Sequence, residues 1–275
     1  MRSVLVTGCS SGFGYATALA FAERGDRVFA TVRKPSSGEP LVDIATKRGL
    51  DIRLVTLDVT DAASVKHGVE EALAAGDGVD VLVNNAGVAG GGPLEEQSEQ
   101  TIRDLFETNT FGALRMIRAV LPAMRERRAG AIVTISSASA RVSGPLLGGY
   151  AASKSALESF VEALFFEVMD FNIRVALIES GAYRTHISKN ARVHVPPPDS
   201  PYRPLIQKVA ATQPSSANAT DPEEVVEMIL AAADSPVSDH RLRFVVGEHT
   251  EALFAARDGD WSAWVERVRT DPGRR

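Results

Sequence analysis

Seven short runs rich in β-branched and apolar residues recur along the chain, separated by longer amphipathic stretches, and no other feature limits the fold as much. The runs are SVLVT (3–7), RVFATV (27–32), IRLVTL (52–57), VDVLVN (79–84), AIVTIS (131–136), IRVALIE (173–179) and LRFVVG (242–247). Several are almost wholly apolar instead of alternating, the pattern of parallel strands buried on both faces. Helical periodicity covers 13–25, 40–49, 61–75, 98–127, 150–170 and 221–234. Asp221-Pro222-Glu223-Glu224 makes a good helix start, with Asp as cap, Pro in the first turn and acids near the positive end of the dipole. Strand–helix alternation on this scale implies right-handed crossovers. It therefore predicts an α/β chain, a doubly wound parallel sheet of about seven strands with helices on both faces. No repeat and no linker divides the sequence, so 1–275 reads as one domain.

The rhythm breaks once. Residues 186–220 are rich in Pro and Ser around a short apolar patch (Leu205, Ile206, Val209), and an insertion just before the last helix and strand reads as a lid over a substrate. Beyond it, 250–275 forms a C-terminal extension. Its Trp261 and Trp264 suit the packing of a terminal helix, with a subunit contact as the alternative.

Charge and cysteine content exclude several functions. The net charge is -5, so no basic field invites nucleic acid or an anionic membrane. One cysteine, Cys9, rules out an internal disulfide, and it reads as a space-filling residue. The histidines are scattered without ligand-like pairing, so no metal site is expected. No window approaches the ~18 apolar residues of a membrane span, and the expectation is a soluble, cytoplasmic protein.

The first strand–helix turn carries Gly8, Gly12 and Gly14 in VLVTGCSSGFGYATALAFAERG. Glycines allow close backbone approach to a pyrophosphate, and the following helix offers free N–H groups and positive potential. At the second strand's tip an acidic residue would accept from a ribose 2′-hydroxyl. This chain has Arg33 and Lys34 instead, which suit a 2′-phosphate and so favour NADP(H) over NAD(H). Asp58 in LDVTD is placed to accept from the adenine amino group, unless it caps the next helix, a task Asp61 could take.

Read in order, TGCSSGFG, LDVTD, NNAG (84–87), Asn109 in ETNTFG, ISS (135–137) and YAASK (150–154) resemble the classical short-chain dehydrogenases/reductases, from residue 3 to about 250. The loop TGCSSGFG and the TVR after the second strand are most similar to the hydroxysteroid- and retinol-dehydrogenase-like branch. The resemblance implies a Rossmann-like fold and a catalytic tetrad of Asn109, Ser137, Tyr150 and Lys154. Tyr150 would be the general acid/base, Ser137 would hold the substrate carbonyl, and Asn109 would complete a water-linked proton relay. A phenol titrates near ~10 and is a poor base at neutral pH. Lys154, four residues on along a helix, is read as the cation that lowers that value. Cofactor contacts would come from Gly8, Ser11, Gly12, Phe13, Gly14, Arg33, Lys34, Asp58, Val59, Asn85, Ala86, Gly87, Tyr150, Lys154, Tyr183 and Thr185. Substrate contacts would come from Ser137, Leu146, Leu147, Tyr150 and Tyr183. Asn84 reads as structural, and Ser136 and Ser139 as loop-capping residues. The chain departs from the family at Ser180-Gly181, where Pro-Gly is usual, so this turn is expected to be looser.

The expected function is NADP(H)-dependent interconversion of a carbonyl and an alcohol on a lipophilic small molecule. A catalytically silent NADP(H) sensor is the alternative, and a dehydratase or epimerase on the same scaffold a weaker one. By resemblance, a homodimer or homotetramer would pair through the helices at 98–127 and 150–170.

Overall fold

The computed structural model describes residues 1–75, 78–181, 183, 191–212, 222–259 and 261–270. The strands β1 (Ser3–Val6), β2 (Arg27–Val32), β3 (Ile52–Thr56) and β4 (Val81–Asn84) fall on four of the apolar runs. After the two-residue strand β5 (Gly90–Gly91) come β6 (Gly130–Ile135), β7 (Ile173–Ser180), the short β8 (Arg192–Val193) and β9 (Arg243–Val246). The main sheet has seven strands in the order β3-β2-β1-β4-β6-β7-β9, and every neighbouring pair is parallel.

The apolar runs explain the two-sided burial. Leu5, Leu82, Ile132 and Leu177 point to one face, and Val4, Val6, Val83, Val133 and Ile178 to the other. Helices α1 (Gly12–Glu23) and α2 (Glu39–Arg48) cover the second face together with α8 (Glu223–Asp234). The first face is covered by α3 (Ala62–Ala75), α5 (Ala113–Arg127) and α6 (Gly148–Val168). Strand order reverses between β1 and β4, so a crevice opens beyond their carboxyl ends, the usual ligand position in open α/β sheets.

Two segments differ from expectation. The stretch 98–127 is not one helix. It runs as α4 (Glu99–Phe106), then a π-helical segment Glu107–Gly112, then α5. The wider turn carries Asn109 and Thr110 into the interior, where both side chains are hydrogen-bonded; such turns mark functional positions. Within the segment read as a lid, β8 pairs with β5, and α7 (Arg203–Thr212) carries the apolar patch, with Val209 buried. Residues 186–190 and 213–220 of that segment, and Asp221 as a cap, lie outside the described residues.

The C-terminal extension is α9 (Glu248–Asp258) and α10 (Trp261–Thr270). A ten-residue helix is too short to persist unaided. Trp264 is buried with Leu253, Phe254, Ala138 and Val142, so the extension packs behind the loop that follows β6 of its own chain. The side chain of Trp261 is outside the described residues. Serine in place of the usual proline at 180 also has a physical reason: β7 continues through Ser180, in register with Val246 of β9, and proline would remove an N–H from that end of the ladder.

Candidate active site

The glycine loop fits a cradle for a phosphate-bearing ligand. Gly8 and Gly12 have φ of +75° and +63°, left-handed values that glycine adopts without strain. Gly14 is needed for a different reason. A Cβ there would lie 2.4 Å from the Asn85 amide nitrogen and 2.5 Å from the Gly8 carbonyl oxygen. The start of α1 therefore rests directly on the loop. Ser11 precedes that helix in extended conformation, and its hydroxyl makes no capping bond. Cys9 is fully buried, donates to the Val6 carbonyl at 3.2 Å, and is pushed up to about 12 by burial, which suits the space-filling reading.

Thr7, unremarked in the sequence, joins β1 to β4. Its hydroxyl accepts from the backbone N–H groups of Asn85 and Ala86, both at 2.9 Å, and donates to Val83. The Asn85 amide donates to the carbonyls of Thr7 and Gly8 at 2.7 and 3.2 Å, so its side chain shapes the cradle. A hydroxyl residue immediately before the first glycine was the available signal. Asn84 donates to Ala113 and is structural, as read.

Around the adenosine end, Arg33 and Lys34 are exposed just past β2, and neither side chain has a hydrogen-bond or ion-pair partner among the described residues. Asp61 supplies the helix cap, accepting from Ala63 and Ser64. Asp58 uses one carboxylate oxygen for the N–H and hydroxyl of Thr60. Val59 has its side chain buried against Gly112, and its carbonyl accepts from Arg115.

The chemical end sits past β6. Ser137 has extended backbone, starts a short 3-10 turn, and its Oγ accepts from Ser139 N–H at 3.2 Å. The capping role expected of Ser136 and Ser139 thus falls to Ser137. Tyr150 lies in the first turn of α6, partly buried, with its hydroxyl near that of Ser137. Burial raises the phenol from its ordinary value, and the neighbouring Ser137 opposes this only in part.

Lys154 is 5% exposed and donates to the Ile135 carbonyl at 2.9 Å. Burial pushes its ammonium down to about 8, and the nearby Glu158 works against that shift. This corrects one expectation, since the phenol is not acidified by its lysine neighbour. Desolvation governs Tyr150, and the ammonium is turned to a backbone carbonyl.

Asn109 is 1% exposed. Its amide donates to Val88 O and Ser153 Oγ, both at 3.0 Å, and its carbonyl oxygen accepts from Val88 N–H at 2.8 Å. Ser153 in turn donates to the Tyr150 carbonyl at 2.7 Å. Gly87 lies where these groups converge, since a Cβ there would sit 3.3 Å from Asn109 Oδ1 and 3.7 Å from Lys154 Nζ.

Leu146 and Leu147 flank the start of α6. Leu146 has φ +68°, a left-handed value costing a leucine roughly 1–2 kcal/mol. Its carbonyl is held by Gly92 N–H at 2.8 Å. Tyr183 meets Phe13 edge-on at 5.9 Å, and its hydroxyl donates to Glu224 at 2.9 Å, so only the ring and backbone remain for a ligand. Thr185 lies outside the described residues. A cavity of about 440 Å³ behind this region is lined by Arg141, Val142, Ala151, Ser155, Arg257 and Trp264. It contains neither Ser137 nor Tyr150, so it is not where the chemistry would occur. Among the described residues no group of His, Cys, Asp and Glu is arranged to hold a metal, and no helix is long and apolar enough to cross a membrane.

A family model described as short chain dehydrogenase matches residues 2–195. The uncharacterized oxidoreductase YusZ of Bacillus subtilis is 37% identical over 270 residues, covering 96% of this chain and 95% of that protein. The 3-ketodihydrosphingosine reductase of Bacteroides thetaiotaomicron is 40% identical over 190 residues, covering 69% of this chain and 67% of that protein. A short-chain dehydrogenase structure from Streptomyces avermitilis superposes with a TM-score of 0.81 at 34% identity, covering 98% of this chain and 96% of the other.

Proposed function

Because the chain belongs to the short-chain dehydrogenase family, we propose that it is an NADP(H)-dependent oxidoreductase that interconverts a carbonyl and an alcohol on a lipophilic small molecule. The observation that carries this reading is the Ser137–Tyr150 hydroxyl pair at the carboxyl edge of the sheet, with Lys154 one helical turn further on and the glycine cradle at the same edge. A protein that only bound nucleotide would need the cradle and not the pair.

The residues present fit the cofactor. Gly8 and Gly12 take the left-handed turns and Gly14 lets α1 close onto the loop, together shaping a cradle for a pyrophosphate, α1 offers its N–H groups, Arg33 and Lys34 stand free for a 2′-phosphate, and Asp58 keeps one oxygen for an adenine amine. When bound, NADP(H) supplies or accepts the hydride. In reduction the carbonyl oxygen gains negative charge, and Ser137 is placed to hold it while Tyr150 gives it a proton. A phenol raised by burial is protonated throughout the neutral range, the form an acid requires. Leu146, Leu147 and the Tyr183 ring favour an apolar substrate. The relative named for a ketosphingosine, and the resemblance to hydroxysteroid and retinol dehydrogenases, point the same way. Phe111 and Phe160 are 45% and 48% exposed on the π segment and α6, which supports pairing into a homodimer or homotetramer through these helices.

Substituting Arg33 and Lys34 with Ala removes charge-assisted bonds worth roughly 1.5–3 kcal/mol. NADPH affinity is therefore expected to fall about 10- to 100-fold, with NADH affinity changed less than about twofold, as read by calorimetric titration. Equal losses for both cofactors would refute the 2′-phosphate assignment. The proposed activity is tested with a carbonyl panel, from steroidal and long-chain ketones to short aliphatic aldehydes, scored by NADPH and NADH absorbance loss. Turnover should concentrate on apolar ketones with NADPH. Tight NADPH binding with no turnover on any carbonyl would favour a sensor.

A further inference from the structure

We propose that Glu158 is a positioning residue: one helical turn beyond Lys154, it holds the end of β6 in register with α6 and so sets the surroundings of the Lys154 ammonium. The proposal rests on the function proposed above, and deepens it. Successive turns of α6 grip successive residues of the strand end. Lys154 Nζ donates to the Ile135 carbonyl at 2.9 Å, and Ser136 Oγ donates to Glu158 Oε1 at 2.5 Å. The next residue is Ser137. The helix that carries Tyr150 thus fixes the backbone that carries its hydroxyl partner.

A carboxylate that is 4% exposed would be costly alone, and the surroundings show how it is kept. Arg243 of β9 bridges Glu158 and Glu179 at 2.5 Å each, and its other nitrogen reaches Glu162 at 3.1 Å. Glu179 of β7 is fully buried and takes Arg141 at 3.4 Å on its second oxygen. Arg141 lies in the loop after Ser137 and also meets Asp258 of α9 at 3.5 Å. The network therefore ties α6, β7, β9, the serine loop and the C-terminal extension to two buried carboxylates, Glu158 and Glu179. The carboxyl of Glu158 is raised from its ordinary value, with burial the largest cause. Burial and Glu179 raise Glu158, while Ser136 and Arg243 lower it.

The charge matters because Lys154 is poised. With its value pushed down to about 8 by burial, the ammonium is lost as pH rises through the mildly alkaline range. Glu158 is the group that raises it, so neutralising Glu158 moves that loss to lower pH. Tyr150, Glu162, Glu179, Arg243, Arg141 and Asp258 are the other charged or titratable groups around the pair, and the variants below leave them in place except where stated.

The test is the direct titration of Lys154 Nζ by heteronuclear NMR in the full chain, with Lys154→Arg to assign the signal, in wild type, E158Q and E162Q. E158Q is expected to lower the midpoint by about one unit, a roughly tenfold smaller ammonium fraction above it. The alkaline limb of kcat should fall at correspondingly lower pH, while NADPH affinity at pH 6.5 stays within about twofold. E162Q should leave the midpoint in place. If E158Q does not fold, S136A, which strips the hydroxyl donor from Glu158, should shift the midpoint in the same direction and less. An unchanged midpoint in the folded variant overturns the proposal. The NMR measurement needs no turnover, so a chain without carbonyl reductase activity would defeat the proposed function and leave this result decisive on Glu158.

Discussion

Tyr150→Phe is expected to lower kcat for carbonyl reduction about 10³-fold, within the range a positioned general acid contributes. The cofactor Kd should remain within about a factor of two, because binding rests on the glycine cradle and the two cations past β2. The substitution keeps the ring, and so its packing at the head of α6, and removes only the hydroxyl that meets Ser137. Losing one partly buried hydroxyl costs at most roughly 1 kcal/mol of stability, so a folded, cofactor-binding and nearly inactive protein is the expected result. Stopped-flow absorbance for turnover and fluorescence titration for binding separate the two effects. Retained turnover would remove Tyr150 from the acid role. A large loss of affinity would recast it as a binding group.

Gly14→Ala has the second largest expected effect, and it acts at the other end of the crevice. The added methyl would stand 2.5 Å from the Gly8 carbonyl oxygen and 3.0 Å from its carbon, both backbone atoms of the loop that α1 rests on. A flexible side chain could yield, but here the Gly8 backbone would have to move, and overpacking of this kind costs roughly 1–3 kcal/mol. The displacement also enters the cradle, and it disturbs the Asn85 amide that ties the loop to β4. NADPH affinity is expected to fall about 100-fold, equivalent to roughly 2.7 kcal/mol, with a measurable drop in the thermal midpoint. Gly25, where a Cβ would meet nothing within 4 Å, is the contrasting position, although its φ of +86° still strains any other residue. Wild-type affinity in Gly14→Ala would show that the ligand does not use this cradle.

The fold was legible because its signals are local. Each main strand is a short apolar run whose odd and even residues serve opposite cores, as Val4, Leu5 and Val6 do, and that pattern survives in a single sequence. The four positions proposed for the tetrad stood out as ordered motifs. What the sequence did not disclose depends on partners distant in the chain. The π turn at Glu107–Gly112 has no composition of its own; it is visible only once Asn109 is seen bonded to Val88 and Ser153. The pairing of β5 with β8 joins two glycines to a strand about one hundred residues later, and two-residue strands carry no periodicity. The ammonium of Lys154 was placed beside the phenol from helical spacing alone, whereas the Ile135 carbonyl competes for it and burial sets both titrations. Glu158 was passed over because a glutamate on an amphipathic helix ordinarily faces water, and only the fold brings Ser136 and Arg243 to it.

The central claim is that Ser137 and Tyr150 serve hydride transfer to a carbonyl at the edge of this sheet. The most direct measurement is a single turnover with NADPH deuterated at the transferable C4 position and an apolar ketone, followed by mass analysis of the product. Deuterium on the carbinol carbon, and none over the same interval with Tyr150→Phe, is the predicted result. Bound cofactor that retains all its deuterium against every ketone tried would contradict the account.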